Sequence, residues 1–392
     1  MKELTCVVVG GGFAGIHAIK AIRKAFQEKE VNRKLRLILL DKHPYHVRKV
    51  LLFRPAVSNE PITIPWERIL QEDAKFVQGA LQHVESDKKW LLYKDTEGQD
   101  HRIDYDLLVV AIGSVARQPE PSQGGISLSD IHTAARMREQ WYNNMKLAAV
   151  KGEQEREQLL TVAVAGAGIT GIETAAELAY AMRAEAVHMG IDPAKVKVHL
   201  LNAQERLFTE GPAKASRKLE STLAEGGVIV HHGTKVLREE DGHLMLSSGA
   251  KLPVGLTIWA LGLIANPALR QMTLPLTDDG KIIVDECYRV ASAQGIYAVG
   301  DCAHVVDMES GKADQMTCKE AIPQAQRLGK IIFADLTGRQ APQHKGVLES
   351  FSIGLGPDRG LLWTHKWGLD IILTGKLAYK TKKILWDHVS MV

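Results

Sequence analysis

An α/β fold is predicted for this 392-residue chain, with two Rossmann-like nucleotide-binding units, the second inserted in the first, and a C-terminal α/β tail region. Three features of the sequence predict it. First, Gly10-Gly11-Gly12-Phe13-Ala14-Gly15 follows the apolar run Leu4–Val9, and Gly166-Ala167-Gly168-Ile169-Thr170-Gly171 follows Leu160–Ala165. Each G-x-G-x-x-G thus sits between a strand and helix-forming sequence. Second, the apolar runs Tyr105–Ile112 and Leu256–Leu261 stop at Gly113 and Gly262, so the two halves repeat one organisation. Third, a late run, Ile296–Val299, stops at Gly300-Asp301 and returns the chain to the first unit.

The spacing of the glycines suits a diphosphate. The first lets the chain turn out of the strand, the second lets bare backbone approach the ligand, and the third lets helix and strand pack closely. The N–H groups and dipole of the helix N-terminus then face the negative charge. Two such turns in one chain predict two dinucleotides and electron transfer between them.

Bulk composition narrows the class. Apolar residues at 45% and charged residues at 24% are those of a water-soluble globular protein. A net charge of +3 is too small to favour nucleic acid, and no long basic run is interleaved with aromatics. Cys6, Cys287, Cys302 and Cys318 include no C-x-x-C, which predicts a reducing compartment and neither a disulfide framework nor a zinc site. No apolar run reaches the ~20 residues of a membrane span, and no secretory leader is expected before the first strand.

The elements follow in order. The strand Leu4–Val9 leads to a helix over Ala14–Lys29 and a strand Leu35–Leu40 ending in Asp41, whose carboxylate is placed to accept a ribose hydroxyl pair. Ala80–Glu85 and Trp90–Tyr93 read as a hairpin, and Tyr105–Gly113 as a buried parallel strand. A helix over Ile131–Val150 and a charged connector, Lys151–Gln158, lead into the second unit. That unit holds a helix over Ile172–Arg183, a strand Val196–Leu201 and a strand near Val228–Val230. The boundaries expected are 1–125 and 276–340 for the first unit, 126–275 for the second, and 341–392 for the tail.

Taken together, these motifs resemble the two-dinucleotide-binding flavoproteins of the pyridine nucleotide-disulfide oxidoreductase superfamily, over roughly residues 4 to 355. The resemblance implies FAD in the first unit, held around Gly10, Gly12, Phe13, Ala14, Gly15, Asp41, Lys42, Ala111, Gly113, Gly300 and Asp301. It implies NAD(P)H in the second, around Gly166, Gly168, Thr170, Gly171, Asn202, Arg206 and Gly262. Disulfide reductases of this superfamily carry a C-x-x-x-x-C after the first acid, whereas His43–Leu52 contains no cysteine. Electrons must therefore leave the flavin directly.

Within the superfamily the chain is most similar to type II NADH dehydrogenases, through Asp41-Lys42-His43-Pro44-Tyr45-His46, Gly166–Glu173 with Glu177-Leu178-Ala179, and Ser352-Ile353-Gly354-Leu355-Gly356. That resemblance implies a membrane quinone as acceptor, no proton pumping, and a peripheral protein on the cytoplasmic face of a membrane. Glu173 matches a glutamate near the nicotinamide and the quinone path. Where the family has an Ala-Gln pair and a second Gln, this chain has Pro323, with Gln324 and Gln326 close by as candidate catalytic groups. Where NADH-selective members carry an acid this chain has Asn202, followed by Arg206, which predicts that NADPH is accepted with the guanidinium as its 2′-phosphate partner.

From Trp363 onward aromatics and lysines surround an apolar stripe. Read as a helix, it places Leu373, Leu377 and Ile384 on one side and Lys376, Lys380 and Lys383 beside them, as suits a membrane interface. A second subunit in a homodimer is the other cover for that face. Two alternatives to the quinone enzyme stay open: a soluble flavin reductase serving a small protein or molecule, and a redox-sensing flavoprotein.

Overall fold

The computed structural model describes residues 3–27, 33–70 and 74–390. Two five-stranded parallel sheets dominate it. The first runs Ile296–Ala298, Leu107–Val110, Glu3–Val9, Lys34–Asp41, Ala74–Gln78. Val7 sits at its centre, level with Ile38 on one side and Leu108 on the other. Leu107–Val110 is buried at every position because both faces of the sheet are covered, which is why it reads as an unbroken apolar run.

The helices Phe13–Gln27 and Cys318–Thr337 lie side by side on this core. Gly329 makes their close approach possible, since a Cβ there would overlap the backbone of Ala21. The antiparallel meander Ala80–Glu85, Trp90–Lys94, Asp100–Asp104 contributes Leu81, Val84 and Leu91 to the same cluster.

The second sheet runs Ile126–Ser127, Leu256–Trp259, Thr161–Ala165, Lys197–Leu201, Val228–His231. All five of its strands fall in the chain between Leu107–Val110 and Ile296–Ala298, so the second unit is inserted in the first. The short pair Ser114–Ala116 and Leu263–Ala265 ties together the two crossings between them. The helices Ile131–Ala148 and Ile169–His188 cover one face, the latter through Ile172, Ala175, Leu178, Ala179 and Met182. A second meander, Val236–Glu240, His243–Leu246, Lys251–Pro253, closes the other.

Two expectations are corrected. The charged connector contains a helix, Glu153–Leu159, with no buried residue. It has no apolar stripe to announce it; Gly152 precedes it, and Glu153 and Glu155 in its first turn complement the helix dipole. The tail is a three-stranded antiparallel sheet, Ser350–Gly354, Gly360–Lys366, Leu369–Thr374, before a helix Gly375–Ser390. Leu373 therefore lies on a strand and does not belong to the helical stripe, because the β-branched Ile371-Ile372 run pairs with Trp363 and Thr364. Among the described residues no helix is long and apolar enough to cross a membrane.

Candidate active site

The two glycine turns are built alike. Gly10 and Gly166 adopt φ of +102° and +113°, and a Cβ on either would overlap a facing carbonyl oxygen, that of Ala111 or Ala260. A Cβ on Gly15 or Gly171 would overlap the carbonyl oxygen of Gly10 or Gly166, which locks each helix onto its own turn. Gly12 and Gly168 differ from these. A Cβ on either meets nothing within 4 Å, so the middle glycine of each turn borders open space. Gly113 and Gly262, at φ of +66° and +84°, border open space as well. Both cradles thus fit a ligand that needs bare backbone, and the first and third glycines are fixed by the protein's own packing.

Around the first cradle, Asp41 accepts hydrogen bonds from the backbone N–H of Gly11 at 2.5 Å and of His43 at 2.8 Å. Phe13 stands edge-on to His46 at 5.1 Å, and Lys42 is exposed beside Asp41. His46 is fully buried with Nδ1 2.9 Å from the Gly11 carbonyl oxygen, and burial pushes its pKa down to about 4. The Trp66 indole lies against Gly11 and donates to the His43 carbonyl at 2.8 Å. His46 and Trp66 brace the turn from beneath, a role that no spacing rule reveals.

Gly300 packs against the methyl of Ala14, and Asp301 follows it. Ser114 Oγ donates to Asp301 at 2.5 Å, and Lys49 Nζ donates to the Ser114 carbonyl at 3.2 Å. Burial raises the Asp301 carboxyl above its usual range, while Ser114 and Lys49 pull it back. Lys49 and Ser114 were not singled out from sequence, because they converge only through the fold.

Gln324 is buried, accepts from the Gly300 N–H at 2.7 Å and donates to Asp314 at 2.7 Å. Its amide braces the Gly300-Asp301 turn, and both ends of that amide are engaged within the protein. Gln326 is exposed and points elsewhere, since residues two apart on a helix do not share a face.

At the second cradle Thr170 is exposed in the first helical turn. Asn202 is buried at its strand end, accepting from the Gln204 N–H and sharing a 3.1 Å hydrogen bond with His232. Arg206 is turned to its own loop. Its two terminal nitrogens donate to the carbonyls of Phe208, Thr209 and Gly211 and to Ser216 Oγ, between 2.6 and 3.1 Å, pinning the loop that leads to the helix Ala213–Glu225.

Glu173, buried on the helix Ile169–His188, accepts from the Gly354 N–H at 2.8 Å and pairs with Lys382 Nζ at 3.0 Å. Lys382 comes from the C-terminal helix and also donates to the Ser352 carbonyl at 2.6 Å. Trp386 of that helix is buried against Phe53, and Asp387 pairs with Arg48 at 3.0 Å. The tail thereby closes over both units. Its outward side leaves Trp367, Leu369, Leu377, Ile384 and Leu385 exposed.

All four cysteines are free. Cys6 and Cys302 are pushed up to about 12 by burial, and Cys318 is raised for the same reason. The Cys302 thiol lies 3.4 Å from the carbonyl oxygens of both Val110 and Val299, either of which can accept its one hydrogen. Among the described residues no cluster of three or more His, Cys, Asp or Glu is placed to hold a metal ion.

The sequence profile of the family described as pyridine nucleotide-disulphide oxidoreductase matches residues 4–327, which take in both cradles and the Gly300-Asp301 turn. The chain belongs to this family, and it is an oxidoreductase. A type II NADH:quinone oxidoreductase of Staphylococcus aureus is 23% identical over 389 residues, covering 97% of this chain and 93% of the relative. Among family folds, the structure of NDH2 from Plasmodium falciparum in complex with NADH superposes with a TM-score of 0.85 at 16% identity, over 99% of this chain and 95% of that one. The sulfide:quinone oxidoreductase of Aquifex aeolicus superposes at 0.75 with 16% identity, over 98% and 90%.

Proposed function

We propose that the chain is an FAD-dependent NAD(P)H dehydrogenase that passes electrons to a membrane quinone without pumping protons. The observation that carries this reading is the pair of matching cradles at Gly12 and Gly168 in a molecule with no thiol pair beside the first. The relatives named above as quinone oxidoreductases support the choice of acceptor. Bound in the first cradle, FAD would supply two-electron redox chemistry between a nicotinamide and the acceptor.

The residues divide the work. Gly12 and the helix N-terminus behind it accept the flavin diphosphate, with Lys42 nearby, and Asp41 accepts ribose hydroxyls. Asp301, steadied by Ser114 and by Gln324 through Gly300, lines the same cleft beside Ala111 and Gly113. Gly168 and Thr170 receive the nicotinamide nucleotide, with Gly262 opposite. Asn202 does not repel a 2′-phosphate and the terminal nitrogens of Arg206 are already engaged, so NADH and NADPH are both used with no preference for NADPH. Glu173, held by Lys382, is the carboxylate that serves the acceptor. The exposed apolar edge of the tail rests on the cytoplasmic face of a membrane, as a peripheral contact.

Glu173→Gln tests this assignment. Turnover with a quinone is expected to fall about tenfold or more while FAD stays bound; unchanged turnover would remove Glu173 from the reaction. One observation favours a second reading, a reductase with a small-protein acceptor: Pro323 and the engaged Gln324 leave no free glutamine in the buried part of that helix. Full activity with such an acceptor and none with quinone would select it.

A further inference from the structure

Glu173 has a second carboxylate one turn away. Glu177 lies on the same face of the helix Ile169–His188, and the two residues are 4% and 6% exposed. Residues four apart on a helix are neighbours, about 5–6 Å between Cβ atoms. Two buried carboxylates at that spacing persist only with compensation. Each faces a cation from a different segment: Glu173 pairs with Lys382 of the C-terminal helix, and Glu177 faces Arg54 of the loop that follows Lys49–Leu51.

Arg54 reaches the surface, where it pairs with the half-exposed Glu60 at 2.9 Å. Its guanidinium stacks on the Trp386 ring at 5.5 Å, with Lys382 5.3 Å from that ring's centre, and the Tyr379 hydroxyl also faces Arg54. The charged and titratable groups around Glu177 are therefore Glu173 on its own helix, Arg54 and Glu60 on the loop, and Tyr379 on the C-terminal helix. Arg54 and Lys382 lie against the same Trp386 ring, so the surface pair Arg54–Glu60 and the buried pair Glu173–Lys382 meet there. Burial, with Glu173 and Glu60 adding to it, pushes the Glu177 carboxyl up to about 7, against the pull of Arg54.

The proposed reaction needs such a group. NADH + H⁺ + quinone gives NAD⁺ + quinol: the hydride carries two electrons and one proton, and the second proton of the quinol comes from water. We propose that Glu177 is the proton-loading group of this chain, taking a proton from solvent past the Arg54–Glu60 pair and passing it to Glu173. The inference rests on the quinone reading for the fate of that proton. The loading itself is measurable without an acceptor.

The test uses the FAD-loaded full chain, anaerobic, with a pH-indicator dye, reduced by one equivalent of NADH at pH values from about 6 to about 8. Added negative charge inside the protein raises the affinity of a buried carboxylate for protons, so the wild type is expected to take up a fraction of a proton, most near pH 7. Glu177→Gln is expected to cut that uptake to the share taken by the reduced flavin itself while keeping its FAD content, which serves as the folding control. Arg54→Gln, which removes the cation, is expected to move the uptake to higher pH. Uptake unchanged in Glu177→Gln, or absent from the wild type, overturns the proposal; if Glu177→Gln does not load FAD, the position of the Arg54→Gln profile decides. A parallel arm mixes the reduced enzyme with menadione. Wild-type reoxidation is expected to slow as pH rises through about 7, and to be about tenfold slower and flat in Glu177→Gln. If menadione does not reoxidise the wild type, the quinone reading fails while the dye still decides on Glu177.

Discussion

Gly12 and Gly15 sit three residues apart, yet they answer to different constraints. A methyl on Gly15 would overlap the Gly10 carbonyl, whereas one on Gly12 meets no protein atom. Gly15→Ala is therefore expected to cost about 1–3 kcal/mol of stability. Gly12→Ala should leave the melting temperature of the apoprotein unchanged while weakening FAD about tenfold or more, as read by apoprotein titration with FAD. His46 sets a pH window. Its pKa falls from 6.5 when unfolded to about 4 in the fold, so the unfolded chain binds the extra proton between those values. Stability is then full above about pH 6.5 and is lost as pH falls toward 4, by about 3 kcal/mol from this residue alone. Urea unfolding at pH 7 and pH 4.5 would show it, with a smaller drop in His46→Asn. Asn202→Asp should restore repulsion of a 2′-phosphate and lower kcat/KM for NADPH about tenfold or more against NADH.

At the scale of elements, what the sequence discloses depends on how local the cause is. The glycine turns and the strands that feed them are legible because their requirements lie within a dozen residues. Glu153–Leu159 is not, since a helix without a buried stripe leaves no periodic signal. Arg206 looked available because its carbonyl partners at 208–211 belong to a loop whose path no motif records. The pairing of Glu173 with Lys382, and the clamp of Trp386 on Phe53, join segments far apart in the chain and emerge only with the tertiary fold. They also change how the tail must be tested. Trp386→Ala is expected to destabilise the protein by about 3–5 kcal/mol, because that ring is buried. Replacing the exposed Leu377, Ile384 and Leu385 with Ser should leave the melting temperature nearly unchanged and move the protein from the membrane fraction to the soluble one. Unaltered partitioning of that variant would assign the apolar edge to another cover, a second copy of the chain included.

The whole molecule is two nucleotide cradles of one design, made unequal by what surrounds them. The first has Asp41, Asp301 and a buried brace of His46 and Trp66. The second has a neutral strand end at Asn202 and opens toward the helix that carries Glu173 and Glu177. The tail reaches that helix through Lys382, which pairs with Glu173. In the proposed reaction electrons pass from one nucleotide to the other and leave for a quinone without a thiol relay. An anaerobic titration followed by visible absorbance tests it most directly. One equivalent of NADH or NADPH is expected to bleach the flavin, and one equivalent of a menaquinone analogue to restore its colour, equally in a variant with all four cysteines replaced by Ser or Ala. A flavin that NAD(P)H does not bleach, or that the quinone analogue does not restore, would contradict the account.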